Sequence, residues 1–393
     1  MKVLHLIKSV AGASWAARQI KELVAAGIEI HVALPAGNPG EMQKWIDTGA
    51  TLHFVNLDFP VRAPWTLSSV LTEARELVEE VRPDLIHSHF FGPTIVMRYA
   101  LGKDHSIPRI FQVPGPLHLE HLIFRTWEVG SAGKADHWIA SSYYIRGLYL
   151  KAGVAENRVQ QSYYGVTLPA KKPERSFALH RLLGIPETQK IIGNVSYIYK
   201  PKYYLGQTKG IKRHEDLIDA IAEVTRARPD VTGVLIGGAW QGAEKYERRL
   251  RKMARDAAGD RIRMMGTVPS ESILSLWADF DLAIHVPISE NCGGVVEPLL
   301  AGVTVIGSEV GGIPEVIENG VTGTLVPTGN QSALARSILE NLDRLSRNHD
   351  LALAGEKRVR NIFDIHRTSS EIAQVYLSIL SSGNESNLRG ALS

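Results

Sequence analysis

Two carboxylates, Glu290 and Glu297, bracket a glycine pair in SENCGGVVEPLLAGVTVIGSEVGG, residues 289 to 312. Gly293 and Gly294 leave backbone N–H groups open to a ligand, and the apolar run behind them reads as a helix followed by a buried strand. With Leu299 to Gly302 in that helix and Pro298 near its first turn, the amides of Gly293, Gly294 and Val295 stand at a helix N-terminus. Aligned peptide dipoles and unpaired N–H donors favour an anion there. Glu297 is then expected in the first turn, accepting hydrogen bonds from sugar or ribose hydroxyls, with Glu290 aimed at the other end of the ligand. A glycosidase pair flanks a single bond at about 5–9 Å, whereas a phosphate-like site separates these two. As partners of the helix dipole alone, the same carboxylates need no ligand.

Cations and small residues suited to a diphosphate lie elsewhere. GNVSYIYKPKYYLGQTKGIKRHEDLIDA (193 to 220) opens with Gly193 and carries Lys200, Lys202, Lys209 and Lys212 ahead of a helix. An ammonium there stabilises the charge that grows on a departing phosphate, although a solvated basic loop has the same composition. KSVAGASWAA (8 to 17) sets Gly12 and Ala13 at the start of another helix, again suited to a phosphate. It lacks G-x-G-x-x-G, so a dinucleotide fingerprint, and with it an NAD-dependent dehydrogenase, is not supported.

The histidines give a weaker signal. His87 and His89 sit in DLIHSHF, His118 and His121 in PGPLHLEHL. Neither H-S-H on a strand nor H-x-x-H outside the H-E-x-x-H order is a recognised metal site, so no metal is expected. His87, His89 and His121 are expected as satisfied, half-buried residues. His118 lies in a Gly/Pro-rich turn that should hold its polar tip toward a cleft.

The elements that must position these residues alternate between short β-branched runs and amphipathic stretches, the pattern of parallel α/β sheets. VLHLI (3–7), IEIHVALP (28–35), TLHFVNL (51–57), DLIHSHF (84–90), RIFQV (109–113), HWIASS (137–142) and VQQSYYG (159–165) form one series of strands. KIIGNVSY (190–197), TGVLIGG (232–238), RIRMMG (261–266), DLAIHVP (281–287), VTVIGS (303–308) and TLVP (324–327) form a second. The helix HEDLIDAIAEVTRARP (214–229) puts Leu217, Ile218, Ile221 and Val224 on one face. The expected division is a first domain over 1–168, a polar linker over 169–184, a second domain over 185–365, and a C-terminal helix over 366–393 that packs back on the first domain and ends in a frayed tail.

Composition narrows the class. A chain of 393 residues is too long for one ordinary core and suits two domains with a cleft. Hydrophobic residues at 44% and charged residues at 22% exclude a disordered or fibrous protein. A formal charge of +3 from 44 basic and 41 acidic residues does not announce a nucleic-acid partner. One cysteine, Cys292, excludes an internal disulfide framework, and no apolar run reaches the length of a membrane span. MKVLHLIKSV lacks the marks of a signal peptide, so a cytoplasmic protein is expected.

Four segments taken together resemble the retaining glycosyltransferases of family 4. IGNVSY…KGIKRHEDLIDA, VLIGG, MMGTVPSESILSLWADFDLAIHVPISE and EPLLAGVTVIGSEVGGIPEVIENGVTGTLVP are similar to the family's donor-lobe motifs, most closely from about Lys190 to Pro327. The resemblance implies the GT-B fold, two Rossmann-like domains with parallel sheets facing across a cleft, and a nucleotide sugar as co-substrate. It implies that Glu297 holds the donor ribose and that Glu290 contacts the transferred sugar. Asn291, Gly293, Gly294 and Val295 form the loop that meets sugar and diphosphate, and Lys209 sits on the diphosphate. Gly12 and Ala13 approach the phosphates from the first lobe with Gly193 and Lys202 at the donor site, His118 lies near the anomeric centre, and Val268 lies where backbone atoms read the base.

Two departures from the family pattern stand out. Six residues rather than seven separate Glu290 from Glu297, and the arginine that precedes the lysine is replaced by Tyr197 or has no counterpart. Lys200, Lys202 or Arg213 are candidates to take its place, although an ammonium is not a bidentate guanidinium.

The function this implies is retaining, metal-independent transfer from a UDP- or GDP-sugar to a hydroxyl of a saccharide, glycolipid or small-molecule acceptor in polysaccharide or glycoconjugate biosynthesis. His118, Glu290 and Lys209 carry the chemistry, with no cofactor beyond the co-substrate. The protein is expected in the cytoplasm, with peripheral contact at the inner face of the membrane. The alternative is a catalytically inactive nucleotide-sugar-binding partner or sensor.

Overall fold

A computed structural model describes residues 1–391. They form two compact units, one of Met1–Thr167 together with the chain from Ile362 onward, the other of Leu168–Asn361. In the first, β1 (Lys2–Leu6), β2 (Glu29–Leu34), β3 (Thr51–Phe54), β4 (Leu85–Ser88), β5 (Arg109–Val113), β6 (Asp136–Ala140) and β7 (Val159–Gln161) make a parallel sheet in the order β3-β2-β1-β4-β5-β6-β7. In the second, β8 (Lys190–Val195), β9 (Val231–Ile236), β10 (Ile262–Gly266), β11 (Leu282–His285), β12 (Val305–Ser308) and β13 (Thr324–Val326) are parallel in the order β10-β9-β8-β11-β12-β13. Both are Rossmann-like.

Every one of these strands overlaps a predicted run; the interior ones are apolar because helices cover both faces of a parallel sheet, while the edge strands β3 and β7 are partly exposed. β4, β5, β9, β11 and β12 are buried at every position. Several stop short of the apolar run that marks them. DLIHSHF yields only Leu85–Ser88, and His89 and Phe90 lie beyond the ladder.

The helix predicted from HEDLIDAIAEVTRARP spans His214–Ala227 and buries Leu217, Ile218, Ile221 and Val224 against Val231, Leu235 and Ile262. The polar segment 169–184 belongs to the second unit. The Asp279 carboxylate accepts the N–H groups of Ser176, Phe177 and Leu179 at 2.7–2.8 Å, and Arg175 forks onto Asp281 at 2.9 and 3.1 Å. Within the first unit the helix Ile365–Ala391 packs Ile372, Tyr376 and Ile379 into the cluster that holds Ile20 and Leu23 of the helix Ser14–Ala25. Residues 392–393 of the expected frayed tail lie outside the described residues.

The strand orders locate the candidate sites. Each sheet grows outward from a central strand, β1 or β8, and then returns to that strand's other side with β4 or β11. The loops leaving the carboxyl ends of such a pair run in opposite directions and open a crevice, the usual ligand position in an open α/β sheet.

Candidate functional site

At the β8/β11 reversal the strand ends carry polar side chains that bond to one another. Asn194 Nδ2 donates to the Ile284 carbonyl at 2.7 Å and faces His285 Nδ1 at 3.2 Å. An amide N–H can only donate, so His285 Nδ1 accepts and its Nε2–H is left to donate to Glu290 Oε2 at 3.0 Å. Ser196 Oγ donates to Asn194 Oδ1 at 2.6 Å and lies 3.3 Å from His214 Nε2, which ties the start of the helix His214–Ala227 to the same network.

Glu290 is the hub. Lys212 Nζ bonds the oxygen that His285 reaches, and the Asn291 N–H closes on the other at 3.1 Å. Burial alone would raise the Glu290 pKa; the Lys212 ammonium and the His285 hydrogen bond override it and hold the carboxyl well below the usual carboxylate range. Burial also pushes His285 down despite the nearby carboxylate, so the ring is neutral at pH 7. With six residues between it and Glu297, Glu290 is ionised and held from three sides by Lys212, His285 and the Asn291 N–H.

The glycines around it have separate causes. A Cβ on Gly294 would sit 2.2 Å from His285 Nε2, so only glycine lets the helix start approach that ring. Gly311 takes φ +61°, and a Cβ there would strike the Glu290 carbonyl at 1.8 Å. Gly293 has nothing within 4 Å of its Cβ position and is exposed, which leaves its amide open to a ligand.

One expectation needs correcting. The helix runs Gly293–Leu300, so Gly293 begins it, Glu297 is its fifth residue rather than a first-turn residue, and Pro298 lies inside it. The glycines adopt helical conformation directly against His285, which moves the start upstream; Pro298 then forgoes one intrahelical hydrogen bond. Glu297 is exposed, Val295 and Asn291 are buried, and Cys292 is a buried thiol pushed up by burial.

Two further cations converge on Asp216. Lys209 Nζ meets Oδ1 at 2.5 Å and Arg213 Nε meets Oδ2, so two positive charges share one carboxylate. Arg213 stands at φ +56° just ahead of the helix, a left-handed position unusual for a side chain of its size. Tyr197 packs edge-on against Trp240 at 4.9 Å. Lys202 caps the short turn Tyr203–Leu205, its N–H on Gln207 Oε1 at 3.0 Å. Gly193 is placed inside β8, where a Cβ would lie 1.8 Å from the Val234 carbonyl, and Val268 is half-buried in the loop after β10.

In the first unit, Gly12 takes φ +86° and accepts the Ser14 N–H, while Ala13 caps a helix that has no acidic residue in its first turn. His118 is half-buried in the short helix Leu117–Glu120, with its ring 5.6 Å from those of both Phe91 and Phe111 and Nε2 3.5 Å from Tyr149 Oη. Burial lowers its pKa to about 4, so it is neutral at pH 7. It can accept or share a hydrogen bond but does not supply a cation.

His285, Asn194, Ser196 and His214 escaped the sequence reading. Their only signal is that each is polar at the edge of an apolar element, as His285 is at the end of LAIH.

Residues 183–358 match the family described as glycosyl transferases group 1, and residues 13–168 match glycosyltransferase family 4. The chain is a group 1 glycosyltransferase. The D-inositol 3-phosphate glycosyltransferase of Thermobispora bispora is 25% identical to this glycosyltransferase over 362 residues, 87% of this chain and 81% of that one. The N-acetyl-alpha-D-glucosaminyl L-malate synthase of Bacillus anthracis is 28% identical over 51% of this chain and 49% of its own length. Among solved structures, Anabaena HepE in complex with UDP-glucose superposes with a TM-score of 0.78 at 21% identity, covering 96% of this chain and all of that one. Sucrose-phosphate synthase from Thermosynechococcus elongatus gives 0.78 at 16% identity, covering 97% and 100%. The fold is that of the GT-B glycosyltransferases. Among the described residues no helix is long and apolar enough to cross a membrane.

Proposed function

We propose that this glycosyltransferase moves a sugar, with retention at the anomeric carbon, from a UDP- or GDP-sugar to a hydroxyl acceptor in polysaccharide or glycoconjugate assembly. The observation that carries the reading is Glu290, kept ionised by Lys212 and His285 beside the exposed amide of Gly293 at a helix start. An anionic diphosphate suits that N-terminus and the Lys209–Arg213 pair, whose two charges Asp216 only half neutralises. A fixed carboxylate next to it suits sugar hydroxyls as donors. HepE binds UDP-glucose, which favours a uridine donor here.

In this mechanism Lys209 and the amides of Gly293 and Gly294 stabilise the leaving diphosphate. Glu297 holds the ribose, Glu290 and neutral His118 orient the sugar, and the acceptor hydroxyl attacks from the leaving-group face with that phosphate taking its proton. Arg213 is the group placed to stand in for the missing arginine, since it shares Asp216 with Lys209. No step calls on a metal ion.

Calorimetry with UDP-, GDP- and ADP-sugars, followed by product analysis with an acceptor panel, tests the reading. One nucleotide class should bind well above the others and turn over with retained stereochemistry. Binding without nucleotide release for any donor would support the sensor alternative, and an inverted product would remove the mechanism.

A further inference from the structure

His5 on β1 and His87 on β4 are register partners in the parallel pair, and His89 follows His87 by two residues. Residues two apart in extended chain share a face, and His89, just past the end of β4, keeps that alternation with its N–H on the Leu6 carbonyl at 3.3 Å. Three imidazoles therefore meet on one side of the first sheet. One ring nitrogen from each lies within 4.8 Å of the others, and none of the three residues has exposed surface.

The hydrogen bonds fix where the protons are. Tyr164 Oη donates to the Gln112 carbonyl at 3.1 Å, so it accepts from His89 Nδ1–H at 2.9 Å. His89 Nε2 is then a lone pair and receives His5 Nδ1–H at 2.9 Å. His5 Nε2 accepts from Tyr376 Oη at 3.3 Å, and that oxygen accepts from His87 Nδ1–H. The chain ends at His87 Nε2, a bare lone pair that is buried with no partner. Gln112, the side chain next to His87, accepts from Gln19 Nε2 at its Oε1 at 2.7 Å, and both Gln112 Nε2 and Gln19 Oε1 are buried without a partner. A buried polar atom left unpaired costs about 1–3 kcal/mol.

We propose that His5, His87 and His89 bind a divalent first-row transition-metal ion, zinc by preference. Three neutral imidazoles with an open fourth position are an established zinc donor set. The nitrogens that no tyrosine takes are His5 Nδ1, His87 Nε2 and His89 Nε2. Each ring's other nitrogen meets Tyr376 or Tyr164, the outer hydrogen bond that orients a metal-bound histidine and sets its tautomer. Burial keeps all three rings neutral, as ligands must be. Binding moves the His5 proton from Nδ1 to Nε2, from where it is donated to Tyr376 Oη; burial holds the Tyr376 hydroxyl proton in place, so no proton leaves. The ion enters during folding, since the rings are closed to solvent. It clamps β1 and β4 to the helix Ile365–Ala391 through Tyr376, within the first unit and independently of sugar transfer.

The full chain, refolded with Co2+ or Zn2+ and dialysed, should retain about one ion per chain by elemental analysis. Co2+ should give the visible absorption of a four-coordinate nitrogen-rich site. His87→Gln and His89→Gln, checked for fold by circular dichroism, should lose the ion. Tyr376→Phe keeps the packing and removes one outer hydroxyl; it should weaken binding about 10–100-fold, and it decides the matter if the histidine variants do not fold. Retention of no ion by the wild type would show that water or nothing fills the space and would overturn the proposal. Binding that is unchanged by Tyr376→Phe, or that is abolished by His53→Gln at the His31–His53 pair on β2 and β3, would overturn it as well.

Discussion

The two sheets reverse strand order at equivalent places, between β1 and β4 and between β8 and β11, and the chain fills the two places with opposite chemistry. At the first, buried His5, His87, His89 and Tyr376 and half-buried Tyr164 form a neutral hydrogen-bonded chain. At the second, Lys212, Glu290 and His285 form a charged cluster at the edge of solvent, with Glu290 at 14% and Lys212 at 18% side-chain exposure. The topology supplies a crevice in both; the second sets fixed charge beside the exposed amide of Gly293, which suits an anionic ligand. A crevice lined by neutral rings is suited to holding elements together.

The largest effect that could sharpen this contrast is on turnover. Lys209→Ala should lower kcat about 10²–10³-fold with a much smaller change in KM, because the charge it meets grows mainly in the transition state. Steady-state kinetics measure the split, and an unchanged kcat would detach the second reversal from the chemistry. Glu297→Ala should come next, weakening donor affinity about 10–100-fold for a lost charge-assisted hydrogen bond of about 1.5–3 kcal/mol. Calorimetry with the preferred nucleotide sugar reads it, and wild-type affinity would remove the ribose assignment.

A pH series probes the charged cluster itself. The folded Glu290 pKa is depressed below its unfolded value near 4.5, so its contribution to stability is fully present above that pH and is lost as pH falls toward the folded pKa. Lys212→Met should therefore cost about 1.5–3 kcal/mol at pH 7, and the gap in Tm from wild type should narrow as pH falls from 5 to 3. A gap that stayed constant across that window would mean the pair is not what depresses the carboxyl. The smallest effect belongs to the neutral chain. Tyr164→Phe removes one hydroxyl between His89 and the Gln112 carbonyl and should cost about 0.5–1.5 kcal/mol in urea unfolding. A loss above that range would show that the neutral chain acts as a cooperative unit.

Much of the fold was legible because a parallel strand buried on both faces has to be a continuous apolar run, and each such run yielded a strand. The glycine pair was legible as amides left open to a ligand, which suits exposed Gly293, whereas the contact that requires glycine at 294, with His285, was visible only in the structure. Glu290 was visible as a carboxylate, but its state was not, because Lys212 lies 78 positions away in sequence and His285 reads as the end of an apolar strand. The position of Glu297 in its helix was misjudged because Pro298 suggests a first turn. The close contact of Gly294 with His285 outweighs that local preference.

Composition and hydrophobic period were enough to determine two parallel α/β units, since these depend on residue type and local repetition, and the resemblance of four segments to donor-lobe motifs pointed to the family. Protonation states, the sharing of Asp216 by Lys209 and Arg213, and the meeting of His5 with His87 were decided only in three dimensions. Charge coupling and strand register depend on distances between residues far apart in the chain, and those distances exist only once the sheets are paired.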